Sequence, residues 1–587
     1  MTPGKRPHWQ APMPLRKEAE GGGYDIYPSF MLEEKLIHSG FRSLAERLLQ
    51  EKVVIFDGYN GVFRDRIREA VSAIAAERSI KVEWIDTGRF LKPEPVILEM
   101  TAPWAGGDDP LFGKRCPLHL ADFFEMDKLL SVKPSPQFDV SIITGPGAAL
   151  AGWHGLTVYA DLPKNEQQYR SREGLITNLG LTRALSPKEF YRRSYFIDWP
   201  VLNRHKEAIL GSVDLFVDAQ RPDEPAWTEG DVLRDALRTM SRSLFRVRPW
   251  FEPGPWGGTW IKDNISGLDG KAPNYAWSFE LITPENGLLL ESSSLLLEVS
   301  FDCLMFIAGD AVLGDCHRRF GTEFPIRFDF LDTFNGGNLS LQCHPRPEYT
   351  RDHFGESFTQ EEAYYILDTK DNATVYLGFR DDIDPVAFRE KLEESREKQV
   401  PFDADRFVMG HPAARHDLFL IPYGTVHGSG KNNLVLEIST TPYIFTFKMY
   451  DWLRMDLSGQ PRDLNIGRAM ENLFFERKGE YVTENLKSKP VLLEEGDDWQ
   501  TWHLPTHETH MYDVHRHVIK TSATILTDNR CLVMNLVDGD RIMVETEIGI
   551  RREISYAETF VIPAAAGSIR IINLSEREAV LVKAFIK

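Results

Sequence analysis

The chain has 587 residues, 42% of them hydrophobic and 26% charged, so it is long enough for several domains with cores of their own. Its net charge of −19 argues against general affinity for nucleic acid or anionic membranes, because both require clustered cations. The five cysteines are scattered and odd in number, which favours a reducing, cytoplasmic location over a disulfide framework. The sequence contains no apolar run of about 18 residues, so no membrane-spanning helix is predicted.

Residues 1–23 are rich in proline and glycine and lack the apolar core of a signal peptide, so we expect a flexible or loosely docked tail. Residues 24–244 are predicted to form an α/β domain. Strand-like runs such as VVIFDG and FDVSIITG alternate there with helix-like runs such as VFRDRIREAVSAIAAE. This alternation favours a parallel sheet of Rossmann-like or P-loop-like type.

Two glycine-rich turns follow strands of this domain. The first, DGYNG at 57–61, continues as Val62-Phe63-Arg64, where a P-loop requires a lysine and a Ser or Thr for phosphate and magnesium. The domain therefore resembles at most a nucleoside kinase that has lost its phosphate loop. The second turn, GPGAALAG at 145–152, could hold a phosphate at a helix N-terminus. We favour the alternative of a tight turn before a helix of small residues.

A stretch rich in Pro, Gly and Trp, RPWFEPGPWGG at 248–258, marks the boundary to a β-rich part. Residues 245–500 contain strand-like runs such as SSSLLLEVSFDCLMFI, with a helical insert near 384–398. Residues 501–587 form a second group of strand-like runs, whose PAAAGS turn carries no histidine. The predicted fold class is thus multidomain, with an α/β domain followed by a mostly-β part.

Four side chains of the β-rich part supply nitrogen and oxygen donors suited to a zinc-like divalent ion. Gln342 and His344 alternate along the strand-like run LSLQCH, so they share one face while Cys343 points away. Glu362 opens the strand-like run EAYYIL, and His427 follows a Pro-Tyr-Gly turn. The spacing supports grouping these four residues into one site.

The motifs around these residues resemble those of the type I mannose-6-phosphate isomerases, a cupin family. The resemblance covers roughly residues 245–587 and implies a double cupin (jelly-roll) fold. Residues 245–500 would bind one ion, Zn²⁺ or another divalent metal, through Gln342, His344, Glu362 and His427, and residues 501–587 would form a metal-free half. The motifs, in the family's order, are PWGGTWIKD (255–263), LSLQCHP (339–345), EAYY (362–365), PYGTVHGSGK (422–431) and FKMYDW (447–452).

The resemblance also implies the reaction, an interconversion of mannose 6-phosphate and fructose 6-phosphate through a cis-enediol. Such an isomerase needs an electrophile for the enediolate oxygen, a proton carrier and a cation for the phosphate dianion. The catalytic candidates are Glu437 as proton carrier, with Lys448 and Lys431 as cations. Ser340 and Lys448 are the candidates for substrate binding. The sequence does not predict the oligomeric state.

This chain departs from the family pattern at two positions. Gln360 replaces a lysine, and Lys448 replaces an arginine, which keeps the charge but loses the planar guanidinium fork. Arg351 or His353 could supply a cation instead, although we favour a solvated surface role for both. The missing lysine leaves two alternatives open. The protein could be a metal-binding cupin without isomerase activity that senses a sugar or sugar phosphate, or an isomerase for an unphosphorylated sugar.

Two further groups are interpreted as structural. Glu361 precedes the ligand Glu362 in the family register and should point to the opposite face of the strand. A histidine-dense stretch, HLPTHETHMYDVHRHV at 503–518, could suggest a second metal site, but we interpret it as chance clustering. The stretch includes His507, His510, His515 and His517.

Overall fold

The computed structural model of the protein describes residues 6–17, 23–455 and 459–587. Up to residue 244 strands alternate with helices, as the sequence pattern predicts. The strands are β1 (Ser29–Met31), β2 (His38–Ser39), β3 (Val53–Gly58), β4 (Val82–Asp86), β5 (Val140–Thr144), β6 (Leu156–Asp161), β7 (Leu215–Asp218) and β8 (Ala226–Glu229). The α-helices are α1 (Gly40–Leu48), α2 (Arg64–Glu77), α3 (Glu94–Thr101), α4 (Met126–Ser131), α5 (Lys164–Arg172), α6 (Pro187–Arg193), α7 (Trp199–Leu210) and α8 (Gly230–Met240).

Strands β2 to β8 form one sheet in the order β2-β8-β7-β6-β3-β5-β4. The pairs from β7 to β4 are parallel, and the antiparallel strands β8 and β2 close one edge. Strands β3 and β5 are buried along almost their whole length, which explains why they read as continuous apolar runs. The parallel strands of the prediction are present, whereas kinship with nucleoside kinases stays a prediction.

Asp57, near the C-terminal end of β3, occupies the donors of the second glycine-rich turn. Its Oδ1 accepts from the backbone N–H of Gly147 at 3.0 Å, and its Oδ2 accepts from that of Ala149 at 2.8 Å. His205 of α7 donates to the same Oδ2 at 2.8 Å. A buried carboxylate of the protein itself therefore stands where a phosphate would have to bind. This arrangement supports the structural interpretation of GPGAALAG.

Beyond residue 244 the chain is mainly β, and the predicted helical insert is confirmed as α13. The strands are β9 (Trp250–Glu252), β10 (Trp277–Leu281), β11 (Gly287–Ser292), β12 (Leu295–Ser300), β13 (Ile326–Asp332), β14 (Leu341–Cys343), β15 (Glu362–Thr369), β16 (Thr374–Phe379), β17 (Val408–Pro412), β18 (Leu418–Ile421), β19 (His427–Ser429), β20 (Asn433–Thr440) and β21 (Phe447–Tyr450). The α-helices are α9 (Trp260–Asn264), α10 (Phe301–Leu313), α11 (His317–Phe320), α12 (Pro347–Phe354), α13 (Pro385–Lys398), α14 (Ile466–Asn472) and α15 (Glu480–Asn485).

Most of these strands belong to two antiparallel sheets, β18-β15-β20-β13-β10-β9 and β17-β16-β19-β14-β21. The C-terminal residues form two more, β22-β23-β24-β31-β26-β29 and β25-β30-β27-β28. This pairing agrees with the predicted mostly-β part, and the double cupin assignment stays a prediction. The C-terminal strands are β22 (Val491–Glu495), β23 (Trp499–Leu504), β24 (Tyr512–Ile519), β25 (Ser522–Leu526), β26 (Leu532–Asp538), β27 (Arg541–Thr546), β28 (Arg551–Ser555), β29 (Thr559–Ile562), β30 (Ser568–Asn573) and β31 (Ala579–Ile586).

The run SSSLLLEVSFDCLMFI is predicted to be extended throughout. This prediction is wrong for its second half. Strand β12 ends at Ser300, and Phe301 begins helix α10. A run in which most residues are apolar does not by itself distinguish a buried strand from a buried helix. Within the described residues, no helix is long and apolar enough to cross a membrane.

The N-terminal tail is docked over the residues that the structure describes. Met13 is only 1% exposed, and the Gln10 amide donates to the Glu252 carboxylate at 3.1 Å. The expectation of a loose tail is therefore wrong for residues 6–17, whereas residues 1–5 and 18–22 lie outside the described residues. Strand β1, expected within the α/β domain, pairs instead with β11 of the β-rich part.

We expect Asp57→Ala to destabilise the protein by about 3–5 kcal/mol, because the buried His205 and three backbone N–H groups lose their acceptor. Urea denaturation followed by circular dichroism measures this change. Asp235→Ala is the control, since that carboxylate is exposed and pairs, among the described residues, with the surface residue Arg238 alone. Equal stabilities of the two variants would contradict the role assigned to Asp57.

The pair of Asp57 and His205 should also make stability depend on pH. Burial opposes protonation of His205, but Asp57 raises its pKa above the ordinary value. The stabilisation is then complete below the unfolded pKa of about 6.5 and is lost as the pH rises through the folded pKa. We expect the unfolding free energy of the wild type, minus that of His205→Gln, to fall over this interval in urea titrations. A difference independent of pH would refute the charged pair.

Candidate metal centre

Four polar side chains of the β-rich part meet between two sheets. Gln342 on β14 pairs in register with His427 on β19, His344 follows β14 directly, and Glu362 begins β15 of the other sheet. One donor atom each from His344, Glu362 and His427 lie within 4.8 Å of one another, and these three residues are at most 1% exposed. The structure thus brings together the residues that the sequence predicts as ligands.

Hydrogen bonds on the far side of both imidazole rings fix their tautomers. Nδ1 of His344 lies 3.1 Å from the Phe445 carbonyl oxygen, and Nδ1 of His427 lies 3.0 Å from that of Thr425. A carbonyl oxygen only accepts, so each Nδ1 carries the proton and each Nε2 presents a lone pair to the cluster. This is the arrangement in which imidazoles bind metals.

Glu362 has too few donors for an ionised buried carboxylate. Its Oε2 contacts His344 Nε2 and lies 3.4 Å from His427 Nε2, and its Oε1 has no hydrogen-bond partner among the described residues. Burial lowers the pKa of His344. Lone pairs and a negative charge therefore face one another, and a cation among them would remove the repulsion.

Gln342 completes the cluster from the half-buried side. Its amide nitrogen lies 3.3 Å from His427 Nε2, and its Oε1 accepts from the Ser340 hydroxyl at 2.9 Å. The oxygen is the atom that binds metals, and turning the amide by half a rotation would aim it at the cluster. Nε2 could then donate to Ser340, so Gln342 fits the position of a fourth ligand.

A second group of polar side chains lies on the sheet that carries Glu362. Strand register puts Glu437 of β20 opposite both Tyr364 and Asp329. Arg327 of β13 forms ion pairs with Glu437 and, at 3.2 Å, with Asp329, and it is only 4% exposed. With its amide oriented so that both ends are satisfied, Gln360 accepts from Arg327 Nη2 at 3.3 Å. A buried guanidinium therefore lies next to the position where the family lysine is missing.

Sequence reasoning missed Arg327. The signal was present in β13, IRFDFLD, where Arg327 and Asp329 alternate with large apolar residues in a strand that is buried throughout. Alternating charges in such a strand point to a polar interior, because buried charges require partners. The partners are distant in the chain, Glu437 on β20 and Gln360 just before β15, and cannot be read from local spacing.

The predicted cations differ in where they lie. Lys448 of β21 pairs in register with Gln342, and burial, together with Arg462, lowers its pKa to about 8. Lys431 lies on the exposed turn after β19, and no hydrogen bond or ion pair of the described residues joins its side chain to the cluster. The prediction that Lys431 takes part in catalysis is therefore not supported, because four residues beyond His427 the strand has already turned outwards.

Arg351 and His353 lie on α12 and are exposed. Arg351 pairs with its neighbour Asp352 at 3.2 Å with most of its side chain exposed, and His353 stacks on Tyr349 at 3.9 Å. These contacts agree with the surface role that we favoured over a role in binding phosphate.

Glu361 points away from the cluster, as the register predicts. Its Oε2 accepts from the backbone N–H of Met511 at 3.1 Å, and burial raises its pKa to about 7. On the same side as Glu361, His510 stacks on Tyr512. Glu361 thus contributes to the contact with the C-terminal strands.

The histidine-dense stretch forms a smaller group whose members only partly match the expected ones. His503 and His515 are cross-strand neighbours, and their donor atoms lie within 4.8 Å of an Asp513 oxygen. Both oxygens of Asp513 already lie 3.0 Å from His503 Nε2, and Lys583 faces His515 from β31. Hydrogen bonds and a neighbouring ammonium group account for this cluster without an ion.

Comparisons with known proteins divide the chain in two. Residues 40–242 match a family model described as a domain of unknown function, DUF8485. Over 57% of its length the chain is 26% identical to the probable mannose-6-phosphate isomerase GmuF of Bacillus subtilis and covers 98% of it. Over 40% of its length it is 26% identical to the mannose-6-phosphate isomerase ManA of the same organism, covering 68% of that protein. The solved mannose 6-phosphate isomerase from Bacillus subtilis aligns with 59% of this chain and 100% of its own, at 19% identity and a TM-score of 0.47. Part of the chain is therefore homologous to proteins named mannose-6-phosphate isomerase.

Proposed function

We propose that the protein is a metal-dependent sugar-phosphate isomerase that interconverts mannose 6-phosphate and fructose 6-phosphate. The observation that carries this proposal is the buried cluster of His344, Glu362 and His427, whose lone pairs and negative charge converge without enough donors. The homology to proteins named mannose-6-phosphate isomerase supports the substrate class.

The donor set fits a divalent ion, and we propose Zn²⁺. Gln342, His344, Glu362 and His427 would hold it through two imidazole nitrogens, a carboxylate and an amide oxygen, a set within the range that zinc accepts. The bound ion would supply a Lewis acid for the enediolate oxygen. The carbonyls of Phe445 and Thr425 keep both imidazoles in the tautomer required for this role.

Proton transfer between C1 and C2 requires a group on the face that the substrate meets. Glu437 projects from that face, two residues before Ser439, which pairs with Glu362. Arg327 and the Ser439 hydroxyl, the latter at 3.0 Å, hold the Glu437 carboxylate in place. We therefore assign Glu437 as the proton carrier, with Arg327 orienting it.

The phosphate dianion requires a cation near the metal ligands. Lys448 lies across from Gln342, the half-buried residue of the cluster. Arg327 lies beside Gln360, but Glu437 and Asp329 already share its charge. Lys448 is therefore the cation that we assign to the phosphate.

We expect zinc-loaded protein to convert mannose 6-phosphate into fructose 6-phosphate, and His344→Ala to lose more than about 100-fold of this activity together with its tightly bound metal. A coupled assay and elemental analysis measure the two losses. His515→Ala, in the smaller histidine group, is the control and should retain both. Turnover that persists in His344→Ala, or its absence from metal-loaded wild type, would refute the proposal; sugar binding without turnover would favour a sensor.

Replacing Arg327 should impair catalysis while the metal stays bound. We expect Arg327→Lys to lower kcat/KM for mannose 6-phosphate by about 10- to 100-fold, because one ammonium cannot contact Glu437, Asp329 and Gln360 together. Steady-state kinetics and metal content give the result. Arg351→Lys makes the same change at the surface and should behave as wild type. Unchanged kcat and KM in Arg327→Lys would remove Arg327 from the site.

A further inference from the structure

Residues 441–445, which we name the strap, connect β20 to β21 and lie between the metal centre and the α/β region, residues 40–242. Strand β20 ends at Thr440 and β21 begins at Phe447, so the strap lies outside the strands. Its carbonyl groups are therefore not held by a regular ladder of backbone hydrogen bonds. Their positions depend on what the strap's side chains contact.

The carbonyl groups of the strap orient side chains of the proposed site. Phe445 O accepts from Nδ1 of His344 at 3.1 Å. Tyr443 O accepts from Arg327 Nη1 at 3.3 Å and from the Gln360 amide at 3.2 Å. His344, a proposed metal ligand, is thus oriented by the Phe445 carbonyl oxygen. Arg327 and Gln360 are oriented by the Tyr443 carbonyl oxygen.

The side chain of Phe445 contacts the α/β region. It is fully buried, and its ring centroid lies 6.0 Å from that of Phe112, 6.2 Å from that of Tyr195 and 6.1 Å from that of Phe196. Phe354 of the β-rich part stacks on it at 4.6 Å. Phe445 therefore contacts the α/β region through its ring and the metal ligand through its carbonyl.

Tyr443 connects the strap to the α/β region through polar contacts. Its hydroxyl donates to Glu285 and lies 3.0 Å from the hydroxyl of Tyr191 on α6. Tyr191 donates to the Glu285 carboxylate at 2.7 Å, and Gln168 of α5 donates to the same carboxylate at 2.6 Å. Because Glu285 is buried, this network has few alternative partners.

We infer that the α/β region is a positioning element of the metal centre, which sets the orientation of His344 and Arg327 through the strap. The inference rests on the proposed metal centre. Hydrogen bonds that orient metal-binding imidazoles affect metal affinity by about 10- to 100-fold, so a displaced Phe445 carbonyl should be measurable. Phe112, Tyr191 and Tyr195 are then positioning residues, because they act through the strap and not on the substrate.

The test uses the full chain with Co²⁺ as the probe. Phe112→Leu removes ring contact with Phe445, and Tyr191→Phe removes only the hydroxyl that touches Glu285 and Tyr443. Phe216→Leu is the matched control, because Phe216 is fully buried in the same region and stacks on Tyr159, away from the strap. Competition with a chromophoric chelator gives the affinity, and visible absorption of bound Co²⁺ reports its ligand geometry.

We expect Phe112→Leu to weaken Co²⁺ binding about tenfold and to alter the absorption spectrum, with a smaller change of the same sign in Tyr191→Phe. Phe216→Leu should lower the melting temperature but keep the wild-type affinity and spectrum. Wild-type affinity and spectrum in both strap-directed variants would overturn the inference. If Phe112→Leu does not fold, Tyr191→Phe alone decides. Wild type that binds Co²⁺ no better than His344→Ala would overturn the metal centre itself, and the inference with it.

Discussion

The burial of one ionised carboxylate, Glu362, constrains the rest of the site. A charge removed from water requires partners, yet the surrounding imidazoles offer lone pairs because their N–H groups are engaged by backbone carbonyls. The fold tolerates this local deficit of donors because two sheets and the strap hold every group in place. Converging lone pairs and a negative charge would destabilise an ordinary core, but they are what a divalent cation requires.

The buried charges next to the cluster also require partners. Arg327, Asp329 and Glu437 are all buried, and the single guanidinium offsets the two carboxylates only in part. Gln360, which removes a positive charge relative to the family pattern, accepts a hydrogen bond from this same arginine. The amide at 360 therefore has a partner in the site, since it contacts the guanidinium that Glu437 and Asp329 share.

The site was predictable from the sequence wherever local geometry determines it. Two-residue alternation puts Gln342 and His344 on one face, and separates Glu361 from Glu362, without knowledge of the fold. Lys431 was not supported because spacing along the chain does not show where a turn leaves the sheet. Arg327 was missed because its partners come from distant parts of the chain. The run that continues from β12 into α10 does not reveal by its apolar residues where the strand ends and the helix begins.

The α/β region is joined to the β-rich part through a continuous core, which includes Phe112 and Tyr159 on one side and Phe445 and Leu436 on the other. Relative motion of two parts is the expectation where their interface is small and polar, whereas these residues belong to one shared apolar cluster. The region keeps a parallel sheet while Asp57 fills the turn in which a phosphate could bind. Its aromatic side chains instead pack on the strap. The α/β region can thus support a neighbouring site without a ligand of its own, because the contacts that position Phe445 and Tyr443 require only its fold.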